Sequence, residues 1–334
     1  MLKTTLYIIL IICLLLFTAW ASVLIYFLCL PNELVALLAA GGFFLSIPAL
    51  YFLLPQRSIS ISIIALLYIS VLFLWSTMQA SNDRNWVSSV AKLPHTVIES
   101  ENITVHNIRN FDYKTEFNFI ENYYDKSYRL EDLETLSFIL SYWGGGTTVA
   151  HTILSFGFKN GDYLAVSAET RLEKDEPQGL LQGFFNQYEI IYILADERDV
   201  LRLRSNYRKV EPEEVFVYPT KFNKQKVRQV FDIIMARVNT LYQNPEFYNT
   251  LTHNCFTSLH GDLSSINENK AVFDWRIFAN GYSDQMLYEN GNMNTDLSFA
   301  EAKAYFHINQ YVSNDNSAKD YSLRIRPNLK SQVE

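Results

Sequence analysis

Thr252-His253-Asn254-Cys255-Phe256-Thr257-Ser258 holds the only cysteine of this chain outside an apolar N-terminal run. Asn254 is a favoured helix N-cap type, and Cys255 to Leu263 reads as a helix entered through it. A thiol at a helix N-terminus faces free backbone amides and the positive end of the helix dipole, which stabilise a thiolate. Cys13 and Cys29 lie in the apolar run, so Cys255 has no partner for a disulfide within the polar part of the chain. An unused thiol is a liability in an oxidising compartment. The stretch therefore points to a nucleophilic Cys255 whose own amide helps to bind an oxyanion. The plainer reading is a small apolar residue of the core.

A nucleophilic thiol needs an imidazole to take its proton and a polar group to hold that imidazole. The candidates are His95, His106, His151, His253, His260 and His307. His253 is too near in sequence to face Cys255 across a helix start, and His260 lies on another face of the expected helix. His151 opens a strand, and a rigid strand suits a general base. Thr152 to Phe158 and Asp162 to Ser167 flank Lys159-Asn160-Gly161, a hairpin signal. A three-residue loop with Gly161 left-handed sets residue 151 opposite 169 and brings Glu169 beside His151. A two-residue turn would bring Thr170 there instead. His151 reads equally well as a hydrogen-bonded core histidine, and Glu169 with Arg171 as a surface ion pair. The run Asp196-Glu197-Arg198-Asp199, with Arg202 and Arg204, reads as a solvated helix face or as a polar platform flanking the site.

Further out, Ile103 to Ile108 alternates as a strand, and Leu130 to Leu140 reads as a short helix. Trp143-Gly144-Gly145-Gly146-Thr147-Thr148 lacks the Gly-Lys-Ser/Thr ending of a phosphate loop and reads as a turn. Tyr188 to Leu194 is apolar enough for a central strand. Lys221 to Tyr242 is a helix, with Val227, Phe231, Ile234, Val238 and Leu241 on one face. The fold class is α+β.

The first part of the chain is of another kind. Leu6–Leu30, Leu34–Leu54 and Ser58–Met78 are three apolar runs long enough to cross a bilayer, separated by Pro31-Asn32-Glu33 and Pro55-Gln56-Arg57. The first run is too long for a cleaved signal peptide. Lys3 and Arg57 flank one side and Glu33 the other, which places the N-terminus in the cytoplasm and the polar part outside, in a periplasm if the cell is Gram-negative. The organisation expected is an anchor over 1–80, a catalytic domain over 81–312 and a polar tail over 313–334. No charge within the spans marks an ion path, which argues against transport. The net charge of −7 and the lack of a basic stripe argue against nucleic-acid binding, and no cysteine or histidine spacing suggests a metal. No cofactor is expected.

Four ordered blocks carry a family resemblance: Ile103 to Tyr113, Ala150 to Phe158, Gly183 to Val200, and Phe247 to Cys255. Together they resemble the Lnb N-terminal periplasmic domain family, also known as the DUF4105 family, over most of Trp86 to about Tyr288. The resemblance implies a circularly permuted papain-like domain of the NlpC/P60 type, in which the histidine strand precedes the asparagine-cysteine helix. It implies Cys255 as nucleophile and His151 as base. One member, of a Bacteroides type, is a lipoprotein N-acyltransferase.

The expected function is thus a membrane-anchored periplasmic cysteine enzyme that transfers or hydrolyses acyl groups on lipid or lipoprotein. Cys255, His151 and Glu169 form its site, and membrane phospholipid is a partner. The alternatives are a peptidoglycan amidase or endopeptidase acting on cell-wall substrate, and a non-catalytic anchored binding module with a buried thiol.

Overall fold

Three helices dominate the N-terminal part of the computed structural model, which describes residues 2–28, 32–263, 274–312 and 321–326. They are α1 (Leu2–Leu28), α2 (Glu33–Leu53) and α3 (Arg57–Ser76), and each is long and apolar enough to cross a membrane. Asn32 caps α2 through a bond from the Val35 amide. The Tyr68 hydroxyl of α3 meets Thr18 Oγ1 of α1 at 2.6 Å, a polar tie of the kind that joins helices where no water competes. These helices form one compact unit, residues 1–80, which also contains residues 179–187.

The second compact unit holds residues 81–178 and 188–334. Its strands are β1 (His95–Glu99), β2 (Asn102–Arg109), β3 (Asp112–Thr115), β4 (Asn118–Ile120), β5 (Tyr123–Arg129), β6 (Leu133–Trp143), β7 (His151–Phe158) and β8 (Tyr163–Arg171). After α4 (Leu180–Phe184) come β9 (Glu189–Ala195), α5 (Glu197–Arg202) with a π-helical turn at Leu203–Tyr207, and β10 (Glu213–Pro219). The main sheet runs β1-β2-β9-β8-β7-β6-β10, with β5 also paired to β2, while β3 and β4 form a separate pair. The helices α6 (Lys224–Gln243), α7 (Cys255–Leu263), α8 (Ser283–Glu289), α9 (Phe299–Tyr305) and α10 (Tyr321–Arg324) follow. The mixed α+β class expected from the sequence is the one observed.

Period-two alternation sorts the central strands onto two cores. Leu154, Phe156, Phe158, Val166 and Tyr192 face α6 and α7, where Val227, Phe231, Ile234, Val238 and Leu241 cover them. Phe231 is fully buried, with its ring edge-on to Phe156 at 5.0 Å and to Phe158 at 6.2 Å. Ile139, Ile153, Ala165, Ile191 and Ile193 face the other way, toward Val200 and Leu201 of α5 and Tyr321 of α10.

Several readings need correction. Leu130–Leu140 is not a helix: a 3₁₀ turn at Leu130–Asp132 leads straight into β6. Leu133, Leu136 and Leu140 fall at helical spacing, but β6 is paired on both edges, by β7 and β10, and buried on both faces, so its residues show no alternation. Asp196–Asp199 is not a solvated face either, since Glu197 and Asp199 are buried. Asp199 accepts both Nε and Nη2 of Arg109, the Phe111 amide and the Tyr113 hydroxyl. Glu197 takes Ser155 and Arg326. Of the polar tail assigned to 313–334, only the short α10 and its flank are within the described residues.

Candidate functional site

The β7–β8 hairpin positions the histidine. Gly161 adopts φ +83°, the left-handed conformation that glycine tolerates, and the Phe158 amide bonds to the Asp162 carbonyl across a three-residue loop. The register pairs Gly157 with Tyr163 and Ile153 with Ser167. Continued by one more pair on the same face, it sets His151 opposite Glu169, as the three-residue loop requires. Nε2 of His151 lies 2.7 Å from Ser167 Oγ and 3.8 Å from Glu169 Oε1, and Ser167 Oγ donates to Glu169 Oε1 at 2.8 Å.

That chain runs on through Arg204, read from the sequence as part of a solvated face or a flanking polar platform, and through Glu213, which sequence spacing did not reveal. Arg204, in the π-helical turn, donates to Glu169 at 3.2 Å and to Glu213 at 3.1 Å. Glu213, at the start of β10, also accepts Ser141 and Arg208. Strand pairing assembles this set: Ser141 lies across from His151 on β6, and Val215 of β10 lies across from Ser141.

Burial and the Arg204 charge hold His151 down at about 3, against the opposing pull of Glu169 and Glu213. Burial alone would raise Glu169, but Arg204, His151 and Arg109, with the Ser167 bond, hold it at about 2. The imidazole is therefore neutral near pH 7, and its tautomer is set by what Nε2 exchanges with Ser167. Nδ1 makes no hydrogen bond among the described residues.

A stability consequence follows. His151 has an ordinary value of 6.5 when unfolded and about 3 when folded. Between these two values the unfolded chain binds the additional proton, so stability is complete above pH 6.5 and is lost as pH falls toward 3. His151→Gln is expected to flatten the fall in thermal stability across that window, measured by melting at stepped pH. An unchanged slope would mean that the imidazole is not held neutral.

Cys255 arrives from the layer of α6 and α7. Asn254 caps α7 as its residue type suggests: Oδ1 accepts the Phe256 and Thr257 amides, both at 2.9 Å, while its own amide nitrogen donates to Thr257 Oγ1. The half-buried thiol lies 3.9 Å from the Ala150 carbonyl oxygen and 3.9 Å from Asn280 Nδ2. Asn280 grips Ala150 on both sides, accepting its amide at 3.0 Å and donating to its carbonyl at 2.6 Å. Gly281 follows it because a Cβ there would sit 2.0 Å from the Thr147 carbonyl oxygen. Sequence reasoning missed Asn280, which lies in a short 3₁₀ turn with no periodic signal.

The structure thus brings His151 and Glu169 together and sets Cys255 against the residues on either side of His151. No hydrogen bond joins the thiol to the imidazole among the described residues. The thiol reaches β7 from the α6–α7 face, whereas the register gives His151 the face of Ser141, Ser167 and Glu169. The lowered thiol pKa expected at a helix start is not found. Burial pushes the Cys255 thiol up, and the Thr152 backbone and Arg204 oppose it only in part.

The other histidines are engaged elsewhere. His95 stacks on His106 and Tyr242, and His106 pairs with Asp125. His253 meets Thr252 Oγ1, His260 lies against Phe256, and His307 stacks on Phe216. Among the described residues no group of three or more His, Cys, Asp or Glu side chains is placed to hold a metal ion.

No curated protein and no solved structure matches this chain. A family model described as the Lnb N-terminal periplasmic domain matches residues 119–281. The match spans His151, Ser167, Glu169, Arg204, Glu213, Cys255 and Asn280. With the three apolar helices it fits a membrane-associated protein of the periplasm. Residues 119–281 are therefore similar to the Lnb N-terminal periplasmic domain family.

Proposed function

We propose that the chain is a cysteine acyltransferase or hydrolase of the papain-like type that acts on lipid or lipoprotein acyl groups. The observation that carries this reading is the thiol at the capped start of α7, packed against the strand end that bears His151 and its Ser167–Glu169–Arg204 support. Cys255 attacks an acyl ester carbon, the leaving alkoxide takes the thiol proton by way of His151, and a thioester remains. An amine or water then releases the acyl group, with the proton returning through the same imidazole. A raised thiol and a neutral imidazole favour proton transfer during attack over a resting thiolate–imidazolium pair. Nδ1 is the nitrogen left for the thiol, and catalytic bonds that are loose without substrate tighten when it binds.

The N-terminus is cytoplasmic and the Cys255 domain periplasmic in this reading, on the charge pattern of Lys3, Glu33 and Arg57. A periplasm-dependent reporter fused after Met78 should be active and one fused after Arg57 silent; the reverse would remove the proposed compartment. Product analysis tests the chemistry. The reading predicts a change in lipoprotein acyl state that depends on Cys255, whereas release of cell-wall stem peptides would make the enzyme an amidase or endopeptidase.

One observation favours a second reading, a non-catalytic anchored module. The thiol packs against the α6–α7 core and donates to the Ala150 carbonyl, as a structural cysteine does.

A further inference from the structure

Between Glu176 and Glu189 the chain carries no charged residue: Pro177-Gln178-Gly179-Leu180-Leu181-Gln182-Gly183-Phe184-Phe185-Asn186-Gln187-Tyr188. This is the connection between β8 and β9, and its central part, Gly179–Gln187, groups with the first 80 residues. Phe185 is buried there, 5.4 Å from the Phe27 ring and 6.2 Å from the Trp20 ring of α1, and Phe184 packs against the same cluster. Trp20 in turn meets Trp75 of α3 edge-on at 5.6 Å. Phe27 and Trp75 lie in the last turns of α1 and α3, which run in the same direction across the bundle because α2 returns between them. Aromatic side chains at helix ends mark the boundary between hydrocarbon and headgroups.

Leu180 and Leu181 point the other way and are 76% and 60% exposed. Elsewhere in the same unit the helices also leave large apolar side chains uncovered, such as Leu45 of α2, 67% exposed. Part of the segment's backbone is satisfied internally, as an apolar medium demands. The Phe185 amide bonds to the Gln182 carbonyl at 3.0 Å, the Gln187 amide bonds to the same oxygen at 3.2 Å, and Gln187 Nε2 donates to the Phe185 carbonyl at 2.8 Å. Asn186 adopts the left-handed φ of 55° that lets the chain turn back.

We infer that Gly179–Gln187 is a membrane-inserted loop, with Phe184 and Phe185 seated on the spanning helices and Leu180 and Leu181 immersed in bilayer lipid. Its occupant is lipid because the exposed leucines adjoin Phe184 and Phe185, which pack on helices long and apolar enough to span a membrane, and share one compact unit with them. The loop gives the β8–β9 connection, whose first strand carries Ser167 and Glu169, a second hold on the bilayer besides the α3 exit. This inference rests on the placement of the loop and does not depend on the chemistry proposed for Cys255.

The test uses the full chain in lipid nanodiscs, with Cys13, Cys29 and Cys255 replaced by alanine or serine. A nitroxide is attached to Leu181→Cys, and in separate samples to Leu45→Cys in a span and Val210→Cys, an exposed site of the other unit. Collision rates with oxygen and with a nickel chelate are then compared. The oxygen-to-nickel ratio at 181 is expected to approach that at 45 and to exceed that at 210 severalfold. A label at 181 that meets the chelate as freely as the one at 210 overturns the inference. Leu181→Asp offers a second reading: the unpaired carboxylate, costly in lipid, should loosen Phe185, raising hydrogen exchange over 179–187 without altering exchange in β7. Unchanged exchange across the loop would also count against insertion.

Discussion

Cys255→Ala and His151→Ala are each expected to reduce turnover by roughly 10⁴-fold or more, with the double variant losing no more than the worse single one. Non-additivity is expected because a nucleophile without its base, or a base without its nucleophile, leaves the same residual site. Glu169→Gln should cost less. It keeps the shape of the Ser167–Glu169 support while removing the charge that faces His151 and Arg204. Steady-state rates on a lipid ester or lipoprotein substrate, taken well below the melting temperature, measure all four variants. Three variants that lose activity only in proportion to lost folding would make the cluster structural.

The largest stability effect lies away from the thiol. Asp199 is fully buried and accepts Arg109, the Phe111 amide and the Tyr113 hydroxyl at once. Asp199→Ala leaves a buried guanidinium without its counter-charge, at a cost of about 3–5 kcal/mol. For a domain of this size that is a drop in melting temperature of about 10 °C. Replacing both partners, Arg109→Met with Asp199→Leu, should recover much of the loss, because the penalty comes from the unpaired charge and not from the missing pair. Thermal unfolding of the detergent-solubilised chain reads both variants. A single variant as stable as the parent would show that Arg109 finds water or another acceptor.

These two sets of residues were not equally legible. Three spans follow from uninterrupted apolar length, which is a local property. The α7 start follows from Asn254, whose side chain supplies the cap, and the hairpin register from the position of Gly161 in a three-residue loop. Each of these signals lies within a few residues of what it determines. Glu213 and Asn280 could not be found that way, and Arg204 was legible only as part of a solvated face or a flanking polar platform. They reach the site through the pairing of β10 with β6 and through a turn that grips Ala150, contacts set by the whole sheet. The helix read at Leu130–Leu140 failed for the same reason, since two flanking strands override the helical spacing of its leucines. The burial of Asp199 was hidden because its cation, Arg109, lies some ninety residues earlier. The thiol's raised pKa was likewise invisible, because a helix start announces amides but not the depth at which they are buried.

The account turns on whether the Cys255 thiol forms a bond to an acyl group. Purified full chain incubated with phospholipid vesicles, digested and weighed by mass spectrometry, answers this directly. The account predicts a fatty acyl mass on the peptide containing Cys255, released by hydroxylamine and absent from Cys255→Ala. It also predicts that His151→Ala accumulates the adduct far more slowly. An unmodified Cys255 peptide at every lipid concentration, in a protein shown to be folded, would contradict it and leave the thiol as part of the α6–α7 core.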